Sequence, residues 1–244
     1  MTHLLSDRST DGWTTKADAQ GRVFEAHAVR RGMKDADLRV LRCWPHLQEL
    51  WLANTHVTDR GLASLRDLPD LQSLVLDRTP ITDEGLVHVA GLKGLQELGL
   101  RHTHITDAGL KHLRGLQALE FLYLGHTLTA DPGLVHLREL PRLFYLYLGD
   151  TPVGDAGLAH LGQMTWLQRL YLEETRISDA GLTCLTGLQH LQTLEVYGTR
   201  VSDQGLTHLA KLKQLRRLHL WGTACSEEGI QSLRKLLPQT HIIY

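Results

Sequence analysis

The chain has 244 residues, with 26 basic and 27 acidic side chains and a formal net charge of −1. That balance excludes a strongly basic nucleic-acid binder, an acidic tail and a polybasic membrane anchor. Aromatic residues make up only 6% while apolar residues reach 42%, and leucine, about 50 of the 244, supplies the difference and is expected to fill the core.

From the N-terminus, residues 1–11 hold no apolar stretch of signal-peptide length and are expected to be unordered. No later run approaches the ~20 apolar residues that cross a bilayer. Cys43, Cys184 and Cys225 are odd in number and scattered, with no CxxC pair, so neither a zinc cluster nor a disulfide framework is suggested. The expectation is a soluble cytoplasmic protein with free thiols. Trp13–Lys16 and Arg22–Val29 flank the turn-like Asp18-Ala19-Gln20-Gly21, which predicts a hairpin covering the N-terminal end of the core.

From Leu47 the chain repeats every 24 residues without insertion or deletion, the units beginning at Leu47, Leu71, Leu95, Leu119, Leu143, Leu167, Leu191 and Leu215. A degenerate copy at 23–46 makes nine units over 23–238. The organisation expected is therefore a tail and the start of a capping hairpin at 1–22, one solenoid at 23–238 and a capping strand at 239–244. Each unit reads L-x-x-L-x-L-x-x-T-x-[IV]-[TS]-D-x-G-L-x-x-L-x-x-L-x-x. The L-x-L alternation predicts a short strand, and leucines spaced by three predict one face of a short helix or 3₁₀ turn. Ser/Thr-Asp pairs such as Thr106-Asp107 predict helix caps. The glycine after each pair predicts close approach of neighbouring coils. Leu128-Thr129-Ala130 breaks the pattern in the fourth of these units and predicts a kink. Cys225 takes a place usually held by Ile or Val, which predicts a buried, inert thiol.

This pattern resembles the leucine-rich repeat family. Its TxITDxGL form is similar to short bacterial repeats related to the cysteine-containing, F-box-associated class, here without an F-box. The resemblance implies a right-handed α/β solenoid with a parallel sheet on the concave side and short helices on the convex side. Position nine departs from the family's most familiar form, holding threonine, Thr55 through Thr223, where asparagine is usual. These hydroxyls are expected to bond turn backbone.

In such a strand, positions three and five face the concave side and positions seven and eight line its edge. Eight of the fourteen Phe, Trp and Tyr residues fall in those columns: Trp51, Phe121, Tyr123, Tyr145, Tyr147, Tyr171, Tyr197 and Trp221. Stacking across strands could account for them structurally. Large exposed rings also dominate interface energetics, and their concentration in repeats four to six predicts a protein-binding centre. Position eight carries Arg78, His102, His126, Asp150 and Glu174, read as a charged rim that sets register. The same row could instead hold zinc between the two histidines and Asp150, a lesser alternative that would make the chain a metal-dependent enzyme. His88, His112, His136, His160 and His208 recur on the convex side and are read as surface residues.

No nucleophile elbow, Walker loop, HExxH motif or glycine-rich dinucleotide loop is present. The sequence therefore predicts a non-enzymatic, monomeric protein-binding scaffold with no cofactor and no membrane contact. A carbohydrate or single-stranded nucleic-acid binder is the runner-up, because aromatic rows stack on both. Nucleic acid is disfavoured by the neutral charge.

Overall fold

The computed structural model describes residues 6–10, 12–30 and 32–244. Among the described residues twelve strands form one sheet in strict chain order. β1 (Ser6–Thr10), β2 (Trp13–Ala17) and β3 (Val23–Ala28) are antiparallel neighbours. β4 (Glu49–Trp51), β5 (Ser73–Val75), β6 (Glu97–Gly99) and β7 (Phe121–Tyr123) follow in parallel. They continue into β8 (Tyr145–Tyr147), β9 (Arg169–Tyr171), β10 (Thr193–Glu195), β11 (Arg217–His219) and β12 (His241–Ile243). The predicted hairpin is present. The expectation of an unordered start is corrected for Ser6–Thr10, which gain ladder partners on β2; residues 1–5 and 11 lie outside the described part.

Register is a direct reading of the sequence period. Leu98 pairs with Leu122, Leu122 with Leu146 and Leu146 with Leu170, each 24 residues on. Any other register would offer a leucine to water. The leucines of strand positions one, four and six are fully buried, as at Leu143, Leu146 and Leu148. One continuous core therefore runs the length of the sheet, shared between coils that could not bury it singly.

The return path is helical. Some units use a short α-helix, such as Asp83–Val89, Asp155–Leu161 and Asp203–Leu209; others use a 3₁₀ run, such as Asp35–Cys43 and Asp131–Glu139. The eight threonines at position nine behave as expected: each Oγ1 donates to the carbonyl three residues before it, at 2.5–2.7 Å, from Thr55 to Leu52 through Thr223 to Leu220.

The aspartates need a correction. In these later repeats side-chain capping falls to the Ser/Thr: Thr82, Thr106, Ser178 and Ser202 each accept from the amide two residues on. The aspartates instead tie each coil to the next. Asp83 accepts from the backbone N–H of Thr106 at 2.8 Å and from its hydroxyl at 2.5 Å. Asp155 does the same for Ser178, and Asp179 for Ser202. A Cβ on Gly109 would fall on the carboxylate of Asp83, so the glycine leaves room for the neighbour's acid. The kink predicted at Leu128-Thr129-Ala130 is absent as well. Ala130 keeps the extended geometry of the other caps and still donates its N–H to Asp107 at 2.7 Å. Backbone atoms carry the link, so losing the hydroxyl does not break it.

Candidate functional site

Three adjacent strands, β7 to β9, place Phe121, Tyr123, Tyr145, Tyr147 and Tyr171 on the concave face because their strand positions alternate with buried leucines. In-register pairing sets Tyr123 beside Tyr147 and Tyr147 beside Tyr171. The rings also pack diagonally. Tyr145 contacts Tyr123 at 5.1 Å and Tyr171 at 4.9 Å between centroids, both tilted, and Phe121 meets Phe144 edge-on at 4.8 Å. All five are half-buried by this mutual packing rather than fully exposed. Burial pushes the phenols of Tyr123, Tyr145 and Tyr147 up, so all three are neutral donors at any physiological pH.

The other three predicted aromatics stand apart. Trp51, 41% exposed, stacks on His27 at 4.8 Å near the N-terminal end. Tyr197 lies against His219 at 4.7 Å, and Trp221, 63% exposed, is beyond it at the C-terminal end. The eight rings thus form one cluster of five with separate flanks.

The cluster is enclosed by charged residues that the sequence analysis left out of the site. Arg101 binds Asp77 through Nε at 2.8 Å and a terminal guanidinium nitrogen at 2.7 Å, and its guanidinium lies 5.4 Å from the ring centre of Tyr123 and 6.0 Å from that of Tyr147. These distances are in cation–π range. On the other flank the Tyr147 hydroxyl lies beside Glu173, a carboxylate 5% exposed. Burial raises the Glu173 pKa, with Glu195 adding to it, against the lowering effect of the Tyr147 bond. Two glycines make this possible: a Cβ on Gly125 would collide with the Tyr147 ring, and one on Gly149 with Glu173. Reading position seven as a column, Asp77, Arg101, Gly125, Gly149, Glu173, gives the available signal: charges on either side of two residues with no side chain.

Position eight has a property that its composition hides. Asn54, Arg78, His102, His126, Asp150 and Glu174 all adopt left-handed backbone, φ 54–59°, and the same place in the last repeats is Gly198 and Gly222. Left-handed conformation costs a non-glycine residue roughly 1–2 kcal/mol. His102 and His126 stack with ring centres 4.0 Å apart and planes within 11°, and His126 Nδ1 meets Asp150 at 2.7 Å. Glu174, next in the row, instead sets its carboxylate against Gly198.

In-plane lone pairs of two parallel stacked imidazoles do not converge on one ion at ~2.0–2.1 Å, so this geometry does not favour the zinc alternative. The described residues that do bring three potential ligand atoms within 4.8 Å are Glu25, His27 and Glu49, from paired strands β3 and β4. There the Lys16 ammonium already sits 2.8 Å from Glu25. Cys225 is half-buried with its thiol pushed up by burial, and none of the three cysteines lies on a concave strand. Among the described residues no helix is long and apolar enough to cross a membrane.

A scan of protein-family models found no match, and neither did a search of curated protein sequences. Among solved structures, the chain is similar to an internalin C2 from Listeria monocytogenes, at 26% identity and a TM-score of 0.67, over 84% of this chain and 81% of that one. An internalin InlF from the same organism gives 21% identity and 0.60, over 84% and 71%. The plant peptide hormone receptor RGFR1, solved in complex with RGF2, gives 16% and 0.57, with 97% of this chain covering 40% of the receptor.

Proposed function

Starting from the leucine-rich repeat solenoid fold, we propose a non-enzymatic scaffold that binds a protein partner across the concave strands β7 to β9. The observation that carries this is the cluster of Phe121, Tyr123, Tyr145, Tyr147 and Tyr171 on a face whose core leucine already fills. Five rings on one open face are costly to leave in water unless something covers them. If half of each ring's ~150–250 Å² is still available, they offer about 500 Å², most of the ~800 Å² per side of a standard interface. Tyrosine suits such a centre: a rigid apolar body with a neutral donor at its tip.

Ring packing favours a protein over a sugar or a nucleobase. Flat ligands need an open ring face, whereas Tyr123, Tyr145 and Tyr171 lean on one another at 34–46°. Free thiols support a reducing, cytoplasmic setting as part of the same reading, and the chain acts as a monomer in it. The test is affinity capture from source lysate on immobilised protein, with nuclease and free-sugar competitors, beside a Tyr123→Ala matrix. A protein retained by the parent, lost on the variant and indifferent to both treatments supports the proposal. Retention abolished by nuclease or sugar contradicts it.

A further inference from the structure

We propose that the rim recess between Arg78, Arg101, His102 and His126 receives an oxyanion, a carboxylate or phosphoryl group carried by the protein partner. The inference rests on the reading of the concave face as the binding face, and adds the chemistry of one anchor on the partner. The recess has a volume of about 280 Å³ and is lined by those four residues with Asp77 and Tyr147, so it adjoins the tyrosine cluster.

Two guanidiniums and one carboxylate line it, and a second carboxylate, Asp150, is held outside the lining against His126. Arg101 already holds Asp77 through two nitrogens and its backbone N–H. Arg78 is exposed and has no carboxylate partner among the described residues, which leaves its planar fork of donors free for a bidentate oxyanion. His126 is oriented by Asp150 and stacks in parallel on His102, which sets the two imidazoles together on one wall of the recess. Burial holds His102 below the ordinary imidazole range, and His126, Arg78 and Arg101 hold it there too, with only Asp77 opposing.

The experiment is a titration of the full chain at low ionic strength with inorganic phosphate and, separately, acetate, followed by NMR of the histidine ring protons. Saturable shifts of His102 and His126 are expected, with the dissociation constant raised at least fivefold in Arg78→Gln and unchanged in the convex variant His136→Ala. Phosphate binding at least fivefold tighter than acetate assigns a phosphoryl group; acetate equal or tighter assigns a carboxylate. No saturable shift with either ion, or shifts indifferent to Arg78→Gln, overturns the proposal. So does a short single-stranded oligonucleotide that saturates the same shifts tenfold below the phosphate concentration, which would move the site to nucleic acid. Because the probes are small ions, their failure alongside continued loss of partner capture by Tyr123→Ala removes only the recess. Saturation by phosphate with a partner indifferent to Tyr123 and Arg78 leaves a free-ion site and overturns the partner-borne group.

Discussion

The hydroxyl of Tyr147 and the buried carboxylate of Glu173 meet over Gly149, in a gap that exists because Gly125 and Gly149 carry no side chain. This contact couples the aromatic centre of the concave face to its acidic flank, and it has a pH signature. Burial raises the pKa of Glu173 in the folded chain, so the native state binds its proton more tightly than the unfolded state does. Stability from this group is present below the unfolded glutamate value of ~4.3 and is lost as pH rises through the folded value. Glu173→Gln keeps an acceptor for Tyr147 and removes the charge. Relative to the parent, it should be more stable in urea at pH 7, with the advantage shrinking or reversing at pH 4. A constant difference across that range would show that Glu173 is not buried as a charge.

The inter-coil aspartate ladder predicts non-additivity. Asp83→Ala leaves the Thr106 N–H and hydroxyl without their acceptor and should cost about 1–3 kcal/mol. Gly109→Ala drives a methyl into that carboxylate and should cost about 1–3 kcal/mol by overpacking. In the double variant the clash has lost its partner, so the total should fall short of the sum by at least ~0.5 kcal/mol. Strict additivity in denaturant unfolding would contradict the account of the repeat glycine.

Strand faces predict a steep contrast between the core and the flank. Leu148 is fully buried and Trp221 is 63% exposed. Leu148→Ala should cost about 2–5 kcal/mol through the cavity it opens, and Trp221→Ala about 0.5 kcal/mol or less. Similar losses from both would put Trp221 inside a packed end that the structure does not show.

Position eight predicts that a charged residue can be deleted at little cost. Glu174 is exposed at φ 54°. Glu174→Gly relieves about 1–2 kcal/mol of left-handed strain, offset by about 0.4–1 kcal/mol of extra freedom in the unfolded chain. Its melting temperature should hold or rise. A loss above ~1 kcal/mol would mean that Glu174 makes a stabilising contact worth more than the strain.

The repeat, the strand faces and the threonine ladder were legible because each depends on spacing along the chain, and the 24-residue period carries directly into the register of Leu98, Leu122, Leu146 and Leu170. The aspartate bonds escaped the sequence reading because a residue beside a helix start offers a local partner, and nothing in its own repeat says that the better one lies in the next coil. For the same reason Arg101 and Glu173 were overlooked. Their role comes from lateral contacts over Gly125 and Gly149, which a column reading shows only as missing side chains. Left-handed geometry at His102 and His126 was hidden by their polarity, and only Gly198 and Gly222 in the same column hinted at it.

The central claim is that the tyrosine cluster of β7 to β9 is the binding surface. Calorimetric affinity for the captured partner tests it most directly, comparing Tyr123→Ala with the convex His136→Ala after each variant is shown to be folded. The account predicts a loss of at least ~2 kcal/mol for Tyr123→Ala and less than ~0.5 kcal/mol for His136→Ala. Unchanged affinity in Tyr123→Ala with a clear loss in His136→Ala would place the partner on the helical face and contradict it.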